Sequence, residues 1–147
     1  KIGQIVGGNK ASGKQLKDRF LSNLPALKSL RERVNKAASR GFLKGIDGRK
    51  IYVRSEHAAL NTLLQGGGAI VMKKALVLLN EKFKLLDIDA KFVGNIHDEW
   101  QIEVKHCQAR KAGHLAVSAI REAGEHFNMF CPLDGEYKVG ENWSETH

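Results

Sequence analysis

Apolar residues recur at intervals of three and four in several stretches of the chain, and this spacing predicts amphipathic helices. The first helix is expected to follow Ser12 as its N-cap. The second is expected to begin at Pro25, which suits the first turn of a helix, and to end at Gly41, which suits a C-terminal cap. Two further helices are predicted over residues 56–86 and 108–127.

Alternating apolar and polar residues predict strands between these helices. Residues 42–53 are expected to form a hairpin that turns at positions 47–48, an Asp-Gly pair that tolerates positive φ angles. Residues 90–96 and 100–104 predict a second pair of strands, and residues 136–139 predict a last short one. The order of the elements indicates an α+β fold, with a small antiparallel sheet and packed helices.

Three adjacent glycines, Gly66, Gly67 and Gly68, lie inside the third predicted helix. Each of them costs about 1 kcal/mol relative to alanine in a helix. We therefore expect either a break in the helix or a place where another group approaches the backbone closely. Beyond the glycines, helical spacing predicts an apolar face formed by Met72, Ala75, Leu76, Leu79, Phe83 and Leu86.

Positive charge is concentrated at the start of the chain. Residues 1–54 contain 14 Lys and Arg against 3 Asp and Glu, a net charge of +11. Residues 55–147 contain 10 against 13, a net charge of −3, and the two parts sum to the +8 of the whole chain. A basic part beside a mildly acidic part indicates a surface for a polyanion next to a site that needs carboxylates. A solvated, lysine-rich helix face is the alternative.

Composition argues against several other classes of protein. With 42% hydrophobic and 27% charged residues, the chain is of ordinary globular composition, no apolar run is expected to span a bilayer, and no signal-peptide pattern opens it. Cys107 and Cys131 are too few for a disulfide framework and lack metal-ligand spacing. Reduced, partly buried thiols are expected, although the sequence leaves their pairing open. The start at Lys1 rather than Met suggests a fragment.

A phosphate-binding loop is suggested by the sequence from Gly8 to Lys14, which fits the pattern G-x-x-x-x-G-K. The pattern also requires Ser or Thr at the next position, where this chain has Gln15. No later apolar strand that ends in an acidic residue is spaced as its partner. A P-loop ATPase is therefore not expected, and Ser12 is interpreted as a helix cap.

The strongest functional signal is the sequence His97-Asp98-Glu99, which lies between two apolar strands. An exposed polar turn without a function is the alternative interpretation. The string Ile-His-Asp-Glu in such a hairpin resembles the third catalytic motif of family A (DNA polymerase I-type) DNA polymerases, which is usually written Val-His-Asp-Glu.

The resemblance extends over nearly the whole chain. Residues 47–55 are similar to the hairpin that follows the fingers helices of this family, and residues 57–66 contain its Asn-x-x-x-Gln-Gly segment. Residues 135–143 are similar to the closing strand, and an end at His147 fits the phage replicative branch. Four motifs in the family's order are more specific than any one of them.

The resemblance implies a fold and an activity. Residues 1–54 would be the C-terminal part of the fingers with its β-hairpin, and residues 55–147 the C-terminal part of the palm. The implied activity is DNA-directed DNA synthesis in replication, by two-metal-ion nucleotidyl transfer with two Mg²⁺ ions, primer-template DNA and dNTP. Asp98 would be one of the two metal-binding aspartates, and Glu99 would support the catalytic site less directly.

The same resemblance implies that other parts of the enzyme are missing. The second aspartate would belong to a motif that precedes Lys1, as would the helix that grips the nucleotide. The fragment alone is expected to be inactive, and the N-terminal part of the polymerase is its expected partner. No membrane is expected to be involved, and the expected location is the cytoplasm of the host cell. The alternative function is a non-catalytic basic DNA-binding module.

Four residues are implied to contact DNA. The minor groove offers purine N3 and pyrimidine O2 acceptors in every correct base pair, so donors such as Gln, His and Asn suit a check of pairing. The resemblance places His97 and Gln65 near the primer end and Asn61 near the templating pair. His57 occupies a position where many relatives carry arginine.

Overall fold

The computed structural model describes residues 2–5 and 7–147, which fold as two compact units. The first unit contains the residues up to Leu43 and the segment Lys50–Leu63, and the second contains Lys44–Arg49 and Leu64–His147. The helices are α1 (Ile2–Ile5), α2 (Lys10–Asn23), α3 (Pro25–Ala38), α4 (Ala59–Leu85), α5 (Ala109–His126) and α6 (Trp143–Thr146). The strands are β1 (Phe42–Lys44), β2 (Lys50–Tyr52), β3 (Ala90–Ile96) and β4 (Glu99–Val104). The predicted α+β class is confirmed.

Helix α2 begins earlier than predicted. Its N-cap is Asn9, whose side-chain oxygen accepts hydrogen bonds from the backbone N–H groups of Ala11 (2.9 Å) and Ser12 (3.0 Å). The prediction of Ser12 as the cap was therefore wrong, because Asn9 already binds these amides. The helix starts inside the G-x-x-x-x-G-K sequence, so the amides that a phosphate would need are occupied. The expectation that this segment is not a P-loop agrees with this geometry.

Helix α3 has the two ends that the sequence predicted. Pro25 is its first residue. Gly41, with φ +83°, follows its C-terminus and donates its N–H to the carbonyl of Ala38 at 2.8 Å. Val34 and Ala38 are buried with Leu43 in the core of the first unit. Local residue chemistry at both ends was sufficient to define this helix.

The turn between β1 and β2 differs from the predicted two-residue turn. Gly48 donates its N–H to the carbonyl of Gly45 at 3.0 Å, so Ile46 and Asp47 are the central residues. Gly45 in turn donates its N–H to the carbonyl of Arg49 at 2.8 Å. Among residues 45–49, only Gly48 has a positive φ, +84°, which explains why the turn lies one position earlier than predicted.

Helix α4 runs without a break through residues 66–68, so the expected interruption is absent. The residues that pack into the core recur at four-residue intervals, Val71, Ala75, Leu79 and Phe83. This packing outweighs the roughly 1 kcal/mol that each glycine costs. The apolar face predicted for residues 72–86 was partly wrong, since Leu86 is 41% exposed.

Helix α4 has 27 residues and is long and apolar enough to cross a membrane, by length and composition alone. The prediction that no apolar run reaches this length was wrong in that respect. One such helix is weak evidence of a membrane span, because the core helix of a globular domain meets the same criterion. In this structure 17% of the apolar window of α4 is buried, and the buried side chains near the end of the helix pack against α5 and the β3–β4 hairpin.

The core of the second unit lies between α4, α5 and the β3–β4 hairpin. Leu79 and Phe83 of α4 pack with Ala112 and Ala119 of α5. The ring of Phe83 stacks on that of Phe92 in β3, with centroids 5.8 Å apart. Phe83 is buried and Phe92 packs against the same core, so their contact attaches the hairpin to α4.

The strand predicted at residues 136–139 is absent from the described part of the chain. Residues 133–138 alternate between half-buried and exposed, but the half-buried side chains pack on α5. Leu133 packs on Gly124, and the ring of Tyr137 packs on Gly113. Side-chain packing on a helix therefore replaces the predicted backbone pairing.

Candidate active site

The His97-Asp98-Glu99 sequence lies at the end of the antiparallel hairpin formed by β3 and β4. Ile96 pairs with Glu99 across the turn, so His97 and Asp98 alone form it. Glu99 is the first residue of β4, which corrects the predicted three-residue separation between the strands. The two acidic residues therefore have different backbone settings, one in the turn and the other in a strand.

A β-bulge interrupts the hairpin before its tip. Phe92 pairs with Ile102, but the next pair is Gly94 with Gln101, which leaves Val93 as an extra residue in β3. An extra residue bends a strand locally and increases its twist. Phe92 and Ile102 pack against the core, and Ile102, Gly94 and Gln101 border an open groove.

His97 has a backbone conformation that few side chains adopt. Its φ is +55°, in the left-handed region where glycine is the least strained residue. Histidine is several-fold enriched there relative to most residues, but it still costs about 1–2 kcal/mol by comparison with glycine. A strained residue in a ligand-accessible turn is characteristic of functional sites.

Asp98 is exposed in the turn, so its carboxylate is accessible to a cation. Within residues 2–5 and 7–147, no three His, Cys, Asp or Glu side chains lie close enough together to hold a metal ion. The hairpin therefore presents one accessible carboxylate rather than a complete metal site. Magnesium is compatible with such a donor set, because it keeps several waters and binds through one or two carboxylates together with substrate phosphates.

Glu99 is half-buried and both of its carboxylate oxygens have partners. Oε1 accepts a hydrogen bond from the Gln101 amide, and Oε2 lies 3.2 Å from Nδ1 of His147. The hydrogen bond from Gln101 lowers the pKa of the Glu99 carboxyl, and the His147 imidazole lowers that pKa further. Glu99 is therefore ionised at neutral pH and held in a defined orientation.

An open groove of about 1120 Å³ borders these residues, and β3, β4, α5 and the last residues of the chain line it. Thr146 attaches the end of the chain to β4, since its hydroxyl donates to Oε1 of Gln101 at 3.2 Å. Trp143, in the same segment, is 53% exposed. The hydrogen-bonded contacts of this segment with β4 come from Thr146 and His147.

The remaining predicted site residues lie at the start of α4. Asn61 and Gln65 are exposed and four positions apart in one helix, so their amides emerge on the same side of it. His57 is exposed in a short 3₁₀ helix, Glu56–Ala58, that directly precedes α4. The structure thus groups the predicted residues into a hairpin tip and a helix surface.

Two cysteines and three histidines outside these groups also lie at the surface. Cys107 and Cys131 are free and both are exposed, which corrects the expectation of partly buried thiols. His106, His114 and His126 are exposed as well.

The sequence alone did not reveal His147, Thr146 or Gln101 as neighbours of the turn. One signal was available, because β4 carries polar residues at alternate positions beside its apolar ones, Glu99, Gln101 and Glu103. Such a polar face on a strand whose other face is buried commonly faces water. Its contacts with the end of the chain join residues far apart in the sequence, which the alternation does not identify.

Comparison with protein families gives one match that covers nearly the whole chain. The family model described as DNA polymerase family A matches residues 1–145. Among curated proteins, the chain is similar to the DNA-directed DNA polymerase of Enterobacteria phage T3, with 41% identity over 169 residues. It is also similar to the DNA-directed DNA polymerase of Escherichia phage T7, with 38% identity over 172 residues. Each alignment covers 100% of this chain and 24% of the relative, so the chain spans about a quarter of their length.

A solved structure has a similar fold. It is described as the POL domain of Pol1 from M. smegmatis in complex with DNA primer-template and dNTP. The similarity has a TM-score of 0.73 at 19% sequence identity, and it covers 82% of this chain and 24% of the other. At this identity the similarity shows the fold.

Proposed function

Because the chain belongs to DNA polymerase family A, we propose that it forms part of the active site of a DNA-directed DNA polymerase that acts in replication. The observation that carries the proposal is the exposed Asp98 in a two-residue turn, on a hairpin whose base is anchored in the core. Anchoring matters because catalytic groups on rigid elements keep the geometry that the reaction needs.

In this proposal residues 1–54 belong to the fingers and residues 55–147 to the palm. The named relatives are about four times as long as this chain, and in such an enzyme the other active-site groups come from outside the matched quarter. The partners are primer-template DNA, dNTP and that remaining polypeptide. The proposed location is the cytoplasm of the host cell, and the similarity to phage proteins supports this assignment.

The proposed reaction is in-line attack of the primer 3′-hydroxyl on the α-phosphate of the incoming dNTP, with release of pyrophosphate. Magnesium, when bound, would activate the hydroxyl and neutralise charge on the triphosphate. Asp98 fits this chemistry as an accessible carboxylate ligand for the ion. Glu99 acts indirectly in this proposal, because both of its oxygens already have protein partners.

The same proposal gives the exposed amides and histidines a task in DNA binding. His97 and Gln65 contact the minor groove near the primer end, and Asn61 acts near the templating pair. Their donor groups match the acceptors that every correct base pair presents there. The exposure of these side chains supports the assignment. His57 is also exposed and is included among the proposed DNA contacts.

The experiment that tests the proposal replaces Asp98 in the complete gene product that carries this chain. Asp98→Ala should lower the turnover number for nucleotide incorporation by about 1000-fold or more, equivalent to about 4 kcal/mol of transition-state stabilisation. Affinity for primer-template should stay close to that of the parent enzyme.

Glu103→Gln is the matched control, because Glu103 is exposed on the same hairpin but lies away from the turn. It should leave turnover close to that of the parent. Near-normal turnover of Asp98→Ala would reject the proposal, and the basic DNA-binding module would then be favoured.

A further inference from the structure

A closed ring of polar contacts joins the start of β4 to the last two residues of the chain. Glu99 accepts a hydrogen bond from Gln101, Gln101 accepts one from Thr146, and His147 lies 3.2 Å from Glu99. Glu99 and Gln101 are two positions apart in β4, so they project from the same face of the strand. The ring therefore constrains one face of β4 directly beside the turn that carries Asp98.

The terminal segment that supplies Thr146 and His147 has its own internal hydrogen bonds. The Glu145 carboxylate accepts from the Glu141 N–H at 2.9 Å and from the Asn142 side-chain amide at 2.7 Å. These bonds fix the short helix α6 before it reaches β4. The segment consequently presents Thr146 and His147 in a defined geometry.

The contact of His147 with Glu99 is poorly suited to a purely structural role. The side chains are 65% and 36% exposed, and exposed ion pairs contribute little to stability because solvent and salt screen them. The contact has a larger effect on the orientation of the Glu99 carboxylate. His147 lies beside one of its oxygens, and Gln101 donates a hydrogen bond to the other. A contact of this kind orients a side chain more than it stabilises a fold.

We propose that His147 is a positioning residue of the active site, one that holds the Glu99 carboxylate and thereby the orientation of the turn that carries Asp98. The inference rests on the proposed polymerase function and adds a residue to it. Thr146 assists by holding Gln101, the other partner of Glu99. The role is exerted through Glu99, not by contact with substrate.

Three variants of His147 in the complete gene product separate this role from others. His147→Ala should lower the turnover number about 10- to 100-fold, the loss typical of removing a residue that supports a metal site without contacting the metal. His147→Asn should restore most of the turnover, because its amide nitrogen takes the position of Nδ1, the atom that faces Glu99. His147→Gln, whose amide nitrogen corresponds to Nε2, should remain as slow as the alanine variant.

His126→Ala is the matched control, because His126 is also exposed and lies at the end of α5. The unfolding midpoint of His147→Ala should equal that of this control, and its primer-template Kd and dNTP KM should stay within about twofold of the parent. Turnover of His147→Ala equal to that of the parent would overturn the inference. The inference would also be overturned if the turnover number of His147→Asn did not exceed that of His147→Ala. A change in the primer-template Kd alone would overturn it as well, because it would mean that His147 contacts DNA.

The proposed function and this inference fail in distinguishable ways. If Asp98→Ala remains active, the polymerase assignment itself is wrong. If Asp98→Ala is inactive while His147→Ala is as active as the parent, only the positioning role is wrong. A lowered unfolding midpoint of His147→Ala relative to the control would assign a structural role to His147 and would also overturn the inference.

Discussion

Replacing Gly113 with alanine should destabilise the second unit, although the same change normally stabilises a helix. A Cβ atom at Gly113 would lie 2.2 Å from Cδ2 of the Tyr137 ring and 2.5 Å from both Cε2 and Cγ. Carbon atoms in favourable contact are about 3.5–4.0 Å apart. The ring would therefore have to move by more than about 1 Å to restore that separation. The same ring hydroxyl lies 3.1 Å from Nε2 of His114, and this hydrogen bond would be strained.

The magnitude follows from opposing effects. Alanine gains about 1 kcal/mol over glycine inside a helix. Overpacking costs about 1–3 kcal/mol, and loss of the contact between Tyr137 and His114 costs up to about 1 kcal/mol. These contributions sum to a free energy of unfolding lowered by about 0–3 kcal/mol, and the short distances to three ring atoms favour the upper part of that range.

Urea denaturation of the full chain measures this change, with Gly68→Ala as the control. A Cβ at Gly68 would have no neighbour within 4 Å, so that variant should be more stable than the parent by up to about 1 kcal/mol. In a Tyr137→Ala background, Gly113→Ala should also become stabilising, which gives a double-mutant cycle. If Gly113→Ala stabilises the chain while Tyr137 is present, the packing argument is refuted.

Two further predictions concern the turn and the pH dependence of stability. His97→Gly should keep the turn, because glycine adopts φ +55° without strain. The free energy of unfolding should stay within about 1 kcal/mol of the parent, whereas the affinity for primer-template should fall. Unchanged affinity in a binding titration would exclude His97 from the DNA contacts. The Lys82 ammonium and the Ser118 hydroxyl, both bonded to Glu122, lower its pKa in the folded state. Its contribution to stability is therefore complete above the unfolded pKa and is lost as pH falls through the folded pKa. Unfolding measured across that acidic range should show a shallower pH dependence in Lys82→Met, and an unchanged slope would contradict the assignment.

Local chemistry in the sequence was enough to predict some elements of this structure. Pro25 and Gly41 act on the backbone beside them, so the ends of α3 were predictable. The string around Asp98 located the hairpin tip for the same reason. The unbroken helix through residues 66–68 was not predictable, because packing of the later turns of α4 overrides local preference.

Contacts between distant positions account for most of the rest. His147 and Glu99 are 48 positions apart, and nothing in the local pattern of either residue predicts their contact. The packing of Tyr137 on Gly113 was also not predictable from the sequence. A glycine inside a helical pattern indicates a less stable helix, and it does not indicate that an aromatic ring packs there. The site therefore combines a predictable turn with surroundings that only the fold reveals.

The extra residue at Val93 also determines how substitutions in β3 should be interpreted. It lies between Phe92 and Gly94, where the pairing with β4 shifts by one position. Burial nevertheless alternates without interruption along β3, with Phe92, Gly94 and Ile96 half-buried and Val93 and Asn95 exposed. The effect of a substitution in this strand therefore follows from its own place in that alternation and not from the residue that faces it in β4.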